Sequence, residues 1–167
     1  MNIDQTIERL ANILLRQKIM LCTAESCTGG LISHWLTNYS GSSGWFEGGI
    51  VSYSNAMKIH ILGVNINTIE DYGAVSSQCV IEMAEGISRA TGAQISIAVS
   101  GIAGPSGGTD FKPVGSVYVA FKIHNKVYSE HNLFHGNRLE IKMLTAQRAL
   151  SGLLELFSKS DSSRDPT

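Results

Sequence analysis

Ile3, Ile7, Leu10, Ile13 and Leu14 recur at helical spacing with charged and polar residues between them. That period predicts an amphipathic first helix packed on the rest of the chain and ending near Arg16 and Gln17. Lys18 to Thr23 (KIMLCT) breaks the period and reads as a short strand. The turn Ser26-Cys27-Thr28-Gly29-Gly30 then feeds a second run of apolar positions at Leu31, Ile32, Trp35 and Leu36. Strand, tight turn, helix is the predicted order. Trp45 to Tyr53 reads as another strand, interrupted at Gly48 and Gly49, where a bulge or a close backbone approach is expected. Ser54 fits an N-cap. Ser76 fits a second cap, for a helix whose apolar positions Val80, Met83, Ala84 and Ile87 share one face and which stops by Gly92.

Gln94 to Ser100 (QISIAVS) is a predicted buried strand. In Gly101 to Pro113 (GIAGPSGGTDFKP), four glycines and two prolines exclude regular structure and leave a shaped loop. Val114 to Phe121 and Lys126 to Phe134 are β-branched or aromatic runs that predict a hairpin turning at His124 and Asn125. A closing helix is expected from about Asn137 to Phe157, with the Ser/Asp-rich end fraying from Ser158. Intermixed helices and strands with a late hairpin predict an α/β fold: a single-domain α/β/α sandwich around a mixed β-sheet over residues 1–157, with a flexible tail at 158–167. The pattern leaves strand order open.

Composition narrows the function classes. The 167 residues are one domain's worth, 43% hydrophobic and 16% charged, which excludes whole-chain disorder. Thirteen basic residues against fourteen acidic ones, with no long block of either sign, argue against nucleic acid as a partner through a basic face. Cys22, Cys27 and Cys79 are odd in number and match neither a disulfide framework nor a zinc-ligand spacing. No metal site is expected. The first twenty residues carry Asp4, Glu8, Arg9 and Arg16, unlike a signal peptide, and no run approaches the roughly 20 apolar residues of a membrane span. The chain reads as cytoplasmic, without a membrane partner.

Ser26 stands where an apolar strand meets a helix start and two glycines permit a sharp turn. Such a place suits an exposed nucleophile, although an ordinary helix cap is the commoner use of this pattern. The amides of the following helical turn are candidate donors to an oxyanion or a phosphate. None of the five histidines stands out as a base for Ser26. Lys58 falls near the start of the helix capped by Ser54, where the helix dipole disfavours a cation. Acting as a base would require its pKa to fall from about 10.4 to about 7.5, a destabilisation of the ammonium by roughly 4 kcal/mol. A solvated surface lysine is the alternative. Tyr53 is placed to donate a hydrogen bond to the same site or simply to serve the sheet. GIAGPSGG can aim successive N–H groups at an anion, yet it matches neither the Walker nor the dinucleotide fingerprint. Arg138 offers a fixed cation. Cys27 is a rival nucleophile or a packing residue.

Ala24-Glu25-Ser26-Cys27-Thr28-Gly29-Gly30, Val51-Ser52-Tyr53, Lys58, Gly73-Ala74-Val75-Ser76 and Ser100-Gly101-Ile102-Ala103-Gly104-Pro105 together closely resemble the CinA C-terminal domain family, over about Asp4 to Phe157. The resemblance implies hydrolysis of the carboxamide of nicotinamide mononucleotide to nicotinate mononucleotide and ammonia. It implies Ser26 as nucleophile, Lys58 as general base and Tyr53 as supporting donor. Thr28, Gly29, Gly30, Gly101, Gly104, Gly107, Gly108 and Arg138 are the implied substrate-binding positions. No cofactor is implied, the partner is a small nucleotide, and a homo-oligomer is expected. Ser106 and Asn137 depart from the family's usual glycine and aspartate, and Ser106 puts a Cβ where positive φ is expected. The family also has longer members with a preceding domain, and the chain reads as the stand-alone form. The alternatives are an inactive pyridine-nucleotide-binding module and an accessory protein of competence or DNA damage.

Overall fold

The computed structural model describes residues 2–162. Helix α1, Ile3–Gln17, opens on a capping box in which Asn2 and Gln5 exchange side-chain to backbone bonds of 2.9 and 3.2 Å. It closes at Lys18, whose φ of 56° is left-handed. That conformation delays strand β1, Leu21–Glu25, beyond the predicted start at Lys18. Helix α2, Leu31–Thr37, and a 3-10 turn at Ser42–Gly44 lead to β2, Phe46–Val51. Glu47 is the extra residue of a bulge against β1, and a Cβ on Gly49 would collide with the Thr23 and Ser33 hydroxyls. Both readings of the glycine pair therefore hold.

Ser54 caps α3, Asn55–Leu62, and Ser76 caps α5, Ser77–Thr91, as expected. Between them lies α4, Ile66–Tyr72, capped by Asn65 and absent from the sequence reading. Strand β3, Ile95–Gly101, then β4, Ser116–Ile123, and β5, Lys126–Leu133, follow, with the hairpin turning at His124 and Asn125. Helix α6, Arg138–Ser162, continues past Ser158, so the expected fraying point is helical; residues 163–167 of the predicted tail lie outside the described residues.

The sheet order is β2-β1-β3-β4-β5, with β2, β1 and β3 parallel and the last two pairings antiparallel. Leu21, Ile95, Ile97, Val99, Val119 and Phe121 face α1, α2 and α6, while Cys22, Ala24, Ala98 and Ala120 face α3 and α5. Small residues on the second face let α5 approach closely. A Cβ on Gly86 would strike the Leu62 carbonyl, so α5 and α3 touch only because that position is glycine. The result is the predicted α/β/α sandwich. No described helix is long and apolar enough to cross a membrane.

Candidate active site

β1 exits to α2 on one face of the sheet, whereas its neighbour β2 exits to α3 on the other. Diverging exits of adjacent parallel strands open a crevice at their carboxyl ends. Ser26 follows β1, Tyr53 and Lys58 follow β2, and the glycine-rich loop follows β3, so the topology gathers three distant segments. Together they wall a cavity of about 300 Å³.

Ser26 is held by its own N–H, which donates to the Val99 carbonyl at 3.0 Å. Lys58 Nζ lies 3.0 Å from Ser26 Oγ, 2.8 Å from the Ser52 carbonyl and 3.2 Å from the Tyr53 carbonyl. Its side chain is 1% exposed, one of the largest fully buried side chains in the protein. The solvated-surface alternative is thereby removed. Burial pushes the Lys58 pKa below its ordinary value. The nearby thiols of Cys27 and Cys79 are raised by burial to about 12 and about 11, so neither is an anion at neutral pH. Among the described residues no carboxylate pairs with Lys58. Nζ can donate to all three oxygens as the ammonium, whereas the neutral amine would keep the two carbonyl bonds and turn its lone pair to the Ser26 hydroxyl proton.

The turn after Ser26 differs from expectation. Glu25 is fully buried and accepts from the N–H groups of Gly30, Ile32 and Ser33 at 3.0, 3.0 and 2.8 Å. It also takes the hydroxyls of Thr28 and Ser33, each at 2.7 Å. The protein's own carboxylate thus fills the anion site at the start of α2. Thr28 and Gly30 serve Glu25, the Gly29 N–H donates to the Ser26 carbonyl, and none of the three lines the cavity. No spacing rule would have found Glu25, because it lies five to eight residues before the amides it caps.

The loop after β3 behaves in the opposite way. Gly101, Gly104 and Gly107 line the cavity with Ala103 and Ser106. The N–H groups of Ala103, Gly104, Ser106 and Gly107 have no acceptor among the described residues. Gly104 has a φ of 76°, and a Cβ there would stand 2.5 Å from Val114 Cγ1. Gly108 is outside the cavity wall; its missing Cβ makes room for the Val114 N–H instead. Ser106 is not among the positive-φ residues, so its Cβ causes none of the expected strain.

Arg138 joins the loop to the β2 side, donating to the Gly104 carbonyl at 2.6 Å and to the Tyr53 phenol oxygen at 3.0 Å. Tyr53 is 60% exposed, and accepting from Arg138 leaves its own hydroxyl proton free to donate into the cavity. Cys27 lines the cavity but is buried in the core cluster, and burial keeps its thiol protonated at neutral pH. No histidine lines it. Asn55, Ala74, Val75 and Ser100 also do, without having been singled out as site residues; Ser100 donates to the Ala74 carbonyl at 2.7 Å and pins the segment before α5.

Fold and site define a single-domain α/β protein with a buried serine–lysine pair at a crevice of parallel strands. Residues 3–157 match the CinA C-terminal domain. The chain belongs to that family. It is 46% identical over 151 residues to a CinA-like protein of Thermotoga maritima, covering 90% of this chain and 37% of that one. It therefore spans little more than a third of the length of the curated relatives it matches. A CinA superfamily structure from Escherichia coli superposes with a TM-score of 0.90 at 34% identity, covering 93% of this chain and 90% of that one. A competence/damage inducible protein from Agrobacterium tumefaciens gives 0.88 at 40% identity, covering 91% and 93%.

Proposed function

We propose that the chain hydrolyses the ring carboxamide of nicotinamide mononucleotide to the carboxylate, with Ser26 as nucleophile and Lys58 as general base. The observation that carries this reading is the 3.0 Å contact between Ser26 Oγ and a Lys58 amine that is buried without a counter-anion among the described residues. Neutral Lys58 takes the Ser26 proton as Oγ bonds to the carboxamide carbon and the carbonyl electron pair moves to oxygen. The N–H groups of Ala103, Gly104, Ser106 and Gly107, which have no acceptor among the described residues, are candidate donors to that oxyanion, whereas those of Gly30, Ile32 and Ser33 are taken by Glu25. Collapse breaks the C–N bond, the Lys58 ammonium protonates the departing nitrogen, and ammonia leaves. Water then attacks the ester as Lys58 takes its proton, and that proton returns to Ser26 Oγ as the carboxylate is released.

The test is ammonia release from nicotinamide mononucleotide, with Ser26→Ala run beside the unaltered protein in buffer containing EDTA. Release by the unaltered protein alone is the expected result. A folded protein that binds the nucleotide without releasing ammonia would be a binding module instead. Activity lost in EDTA and restored by zinc or magnesium would overturn the serine–lysine mechanism.

A further inference from the structure

Beyond Gly104 the glycine-rich loop has little to hold it. Arg138 grips the Gly104 carbonyl at 2.6 Å, and the chain rejoins the sheet at Ser116. Among the described residues, a single hydrogen bond joins residues 105–112 to any other part of the protein: Lys112 Nζ donates to the Tyr72 carbonyl at 2.7 Å. Ser106 and Gly107, whose N–H groups have no acceptor among the described residues, lie between these two attachments.

Tyr72 is the last residue of α4, so its carbonyl is one that the helix leaves without an internal partner, and a lysine side chain is a fitting donor to it. Lys112 is half-buried there, with Nζ 3.5 Å from where a Cβ on Gly73 would be. Both ends of the contact are themselves fixed. On the far side, the Gly73 carbonyl accepts from Ser76 Oγ at 2.8 Å and the Ala74 carbonyl from Ser100 Oγ at 2.7 Å, which ties the connector between α4 and α5 to a helix cap and to β3. On the loop side, the Thr109 N–H donates to the Lys112 carbonyl at 2.9 Å and the Lys112 N–H to Thr109 Oγ1 at 3.0 Å, which closes the loop tip into a turn. Ala74 and Val75 line the crevice from the connector, and Ser106 and Gly107 line it from the loop, so the Lys112 contact joins two walls of one cavity.

Gly104 and Gly107 have φ of 76° and 92°, and glycine leaves both free to adopt other conformations. An N–H group stabilises an oxyanion well only when it is aimed before the charge develops, so a glycine-rich loop needs a restraint from outside itself. We infer that Lys112 is a positioning residue: its Nζ latches the glycine-rich loop to the carboxyl end of α4 and so holds the Ser106 and Gly107 amides on the crevice. The use made of those amides rests on the proposed hydrolysis; the latch is a property of the loop and is measurable without substrate.

The experiment measures kcat and KM for ammonia release from nicotinamide mononucleotide, the urea midpoint, and the backbone amide order parameters of the substrate-free protein by NMR relaxation, in the unaltered chain, Lys112→Met and Lys112→Arg. Lys112→Met should lower kcat about 10- to 100-fold with KM within about twofold and the urea midpoint unmoved, because the latch aims donors used in the transition state and Lys112 lies outside the core. The order parameters of residues 106–112 should drop from roughly 0.85 to below about 0.6 in that variant alone. Lys112→Arg, whose guanidinium also donates to a carbonyl, should recover most of kcat. An unchanged kcat in Lys112→Met, an effect that falls on KM alone, or a loss matched by a lower urea midpoint would overturn the positioning role. Should none of the proteins release ammonia, the hydrolase reading fails on its own, and the order parameters decide the latch. A drop confined to residues 106–112 in Lys112→Met and recovered in Lys112→Arg would sustain it; equal values in all three would end it.

Discussion

The turn after β1 and the loop after β3 both bring glycine-rich backbone to one crevice, yet an internal carboxylate takes amides only at the first. At the first, Glu25 takes the N–H groups of Gly30, Ile32 and Ser33 and the hydroxyls of Thr28 and Ser33, so three amides at the start of α2 are filled from within. At the second, four amides have no acceptor among the described residues. The buried anion lets the turn hold Ser26 still, since an unfilled helix end beside the nucleophile would compete for any anion entering the crevice. Rigidity is built on one side and binding capacity on the other. A glycine-rich turn at a helix start is therefore no evidence of a ligand site until its amides have been followed to their acceptors.

The largest effect should come from the lysine that stands between the two turns. Lys58→Arg keeps the charge but cannot supply a neutral base, and it should lower kcat/KM for ammonia release by about 10³-fold or more at every pH. In the unaltered protein the rate should rise with pH as Lys58 loses its proton, and the rise should begin below the ordinary lysine range because burial lowers its pKa. The stability consequence has the same direction. Between the lowered folded pKa and about 10.4 the unfolded chain binds the extra proton, so the Lys58 contribution to stability grows as pH rises through that window. The difference in urea midpoint between the unaltered protein and Lys58→Met should shift in favour of the unaltered protein from pH 7 to pH 9.5.

Emptying the closed turn should come next. Glu25→Ala strands buried amides and should cost about 3 kcal/mol or more in urea unfolding, with activity down about 10²-fold as Ser26 loses its support. Formate or acetate should raise the melting temperature of this variant and leave that of the unaltered protein where it was. A variant that gains nothing from either anion would show that Glu25 is not acting as a bound anion. On the open side, Gly104→Ala forces a Cβ against Val114 at a φ of 76°, and should lower kcat/KM about 10-fold by displacing the carbonyl that Arg138 grips. The smallest effect is expected at Cys27. Cys27→Ala should keep activity within about threefold, at a stability cost of about 1 kcal/mol, and iodoacetamide at pH 8 should leave the thiol unmodified in the folded protein.

Much of the fold was legible because its signals are local. The α1 period, the Ser54 and Ser76 caps and the His124-Asn125 turn each depend on neighbours a few residues away, and each was found in its expected place. Helix α4 escaped because its seven residues bury only Thr68, leaving no apolar stripe to read. The extra length of α6 was hidden by a polar composition that suggested fraying. In the site, Ser26, Lys58, Tyr53, Arg138 and the loop glycines 101, 104 and 107 were named from the residues and from their resemblance to a family. Glu25 was not singled out, and Thr28, Gly29 and Gly30 were given to the substrate rather than to the turn. The distinction between those two fates is one of where N–H groups point.

Residue order alone settled which elements form, because capping, periodicity and turn chemistry act over a few residues. It also settled that a serine and a lysine fall 32 positions apart, each beside a strand end. Only the tertiary structure decided that β2 and β3 flank β1, and with that order came the 3.0 Å contact, the burial of Lys58 and the lowering of its pKa. Burial and charge separation depend on packing between segments remote in sequence. For that reason Lys58 reads as an ordinary lysine in the chain and, in the fold, is a buried amine with three oxygen partners and no carboxylate among the described residues.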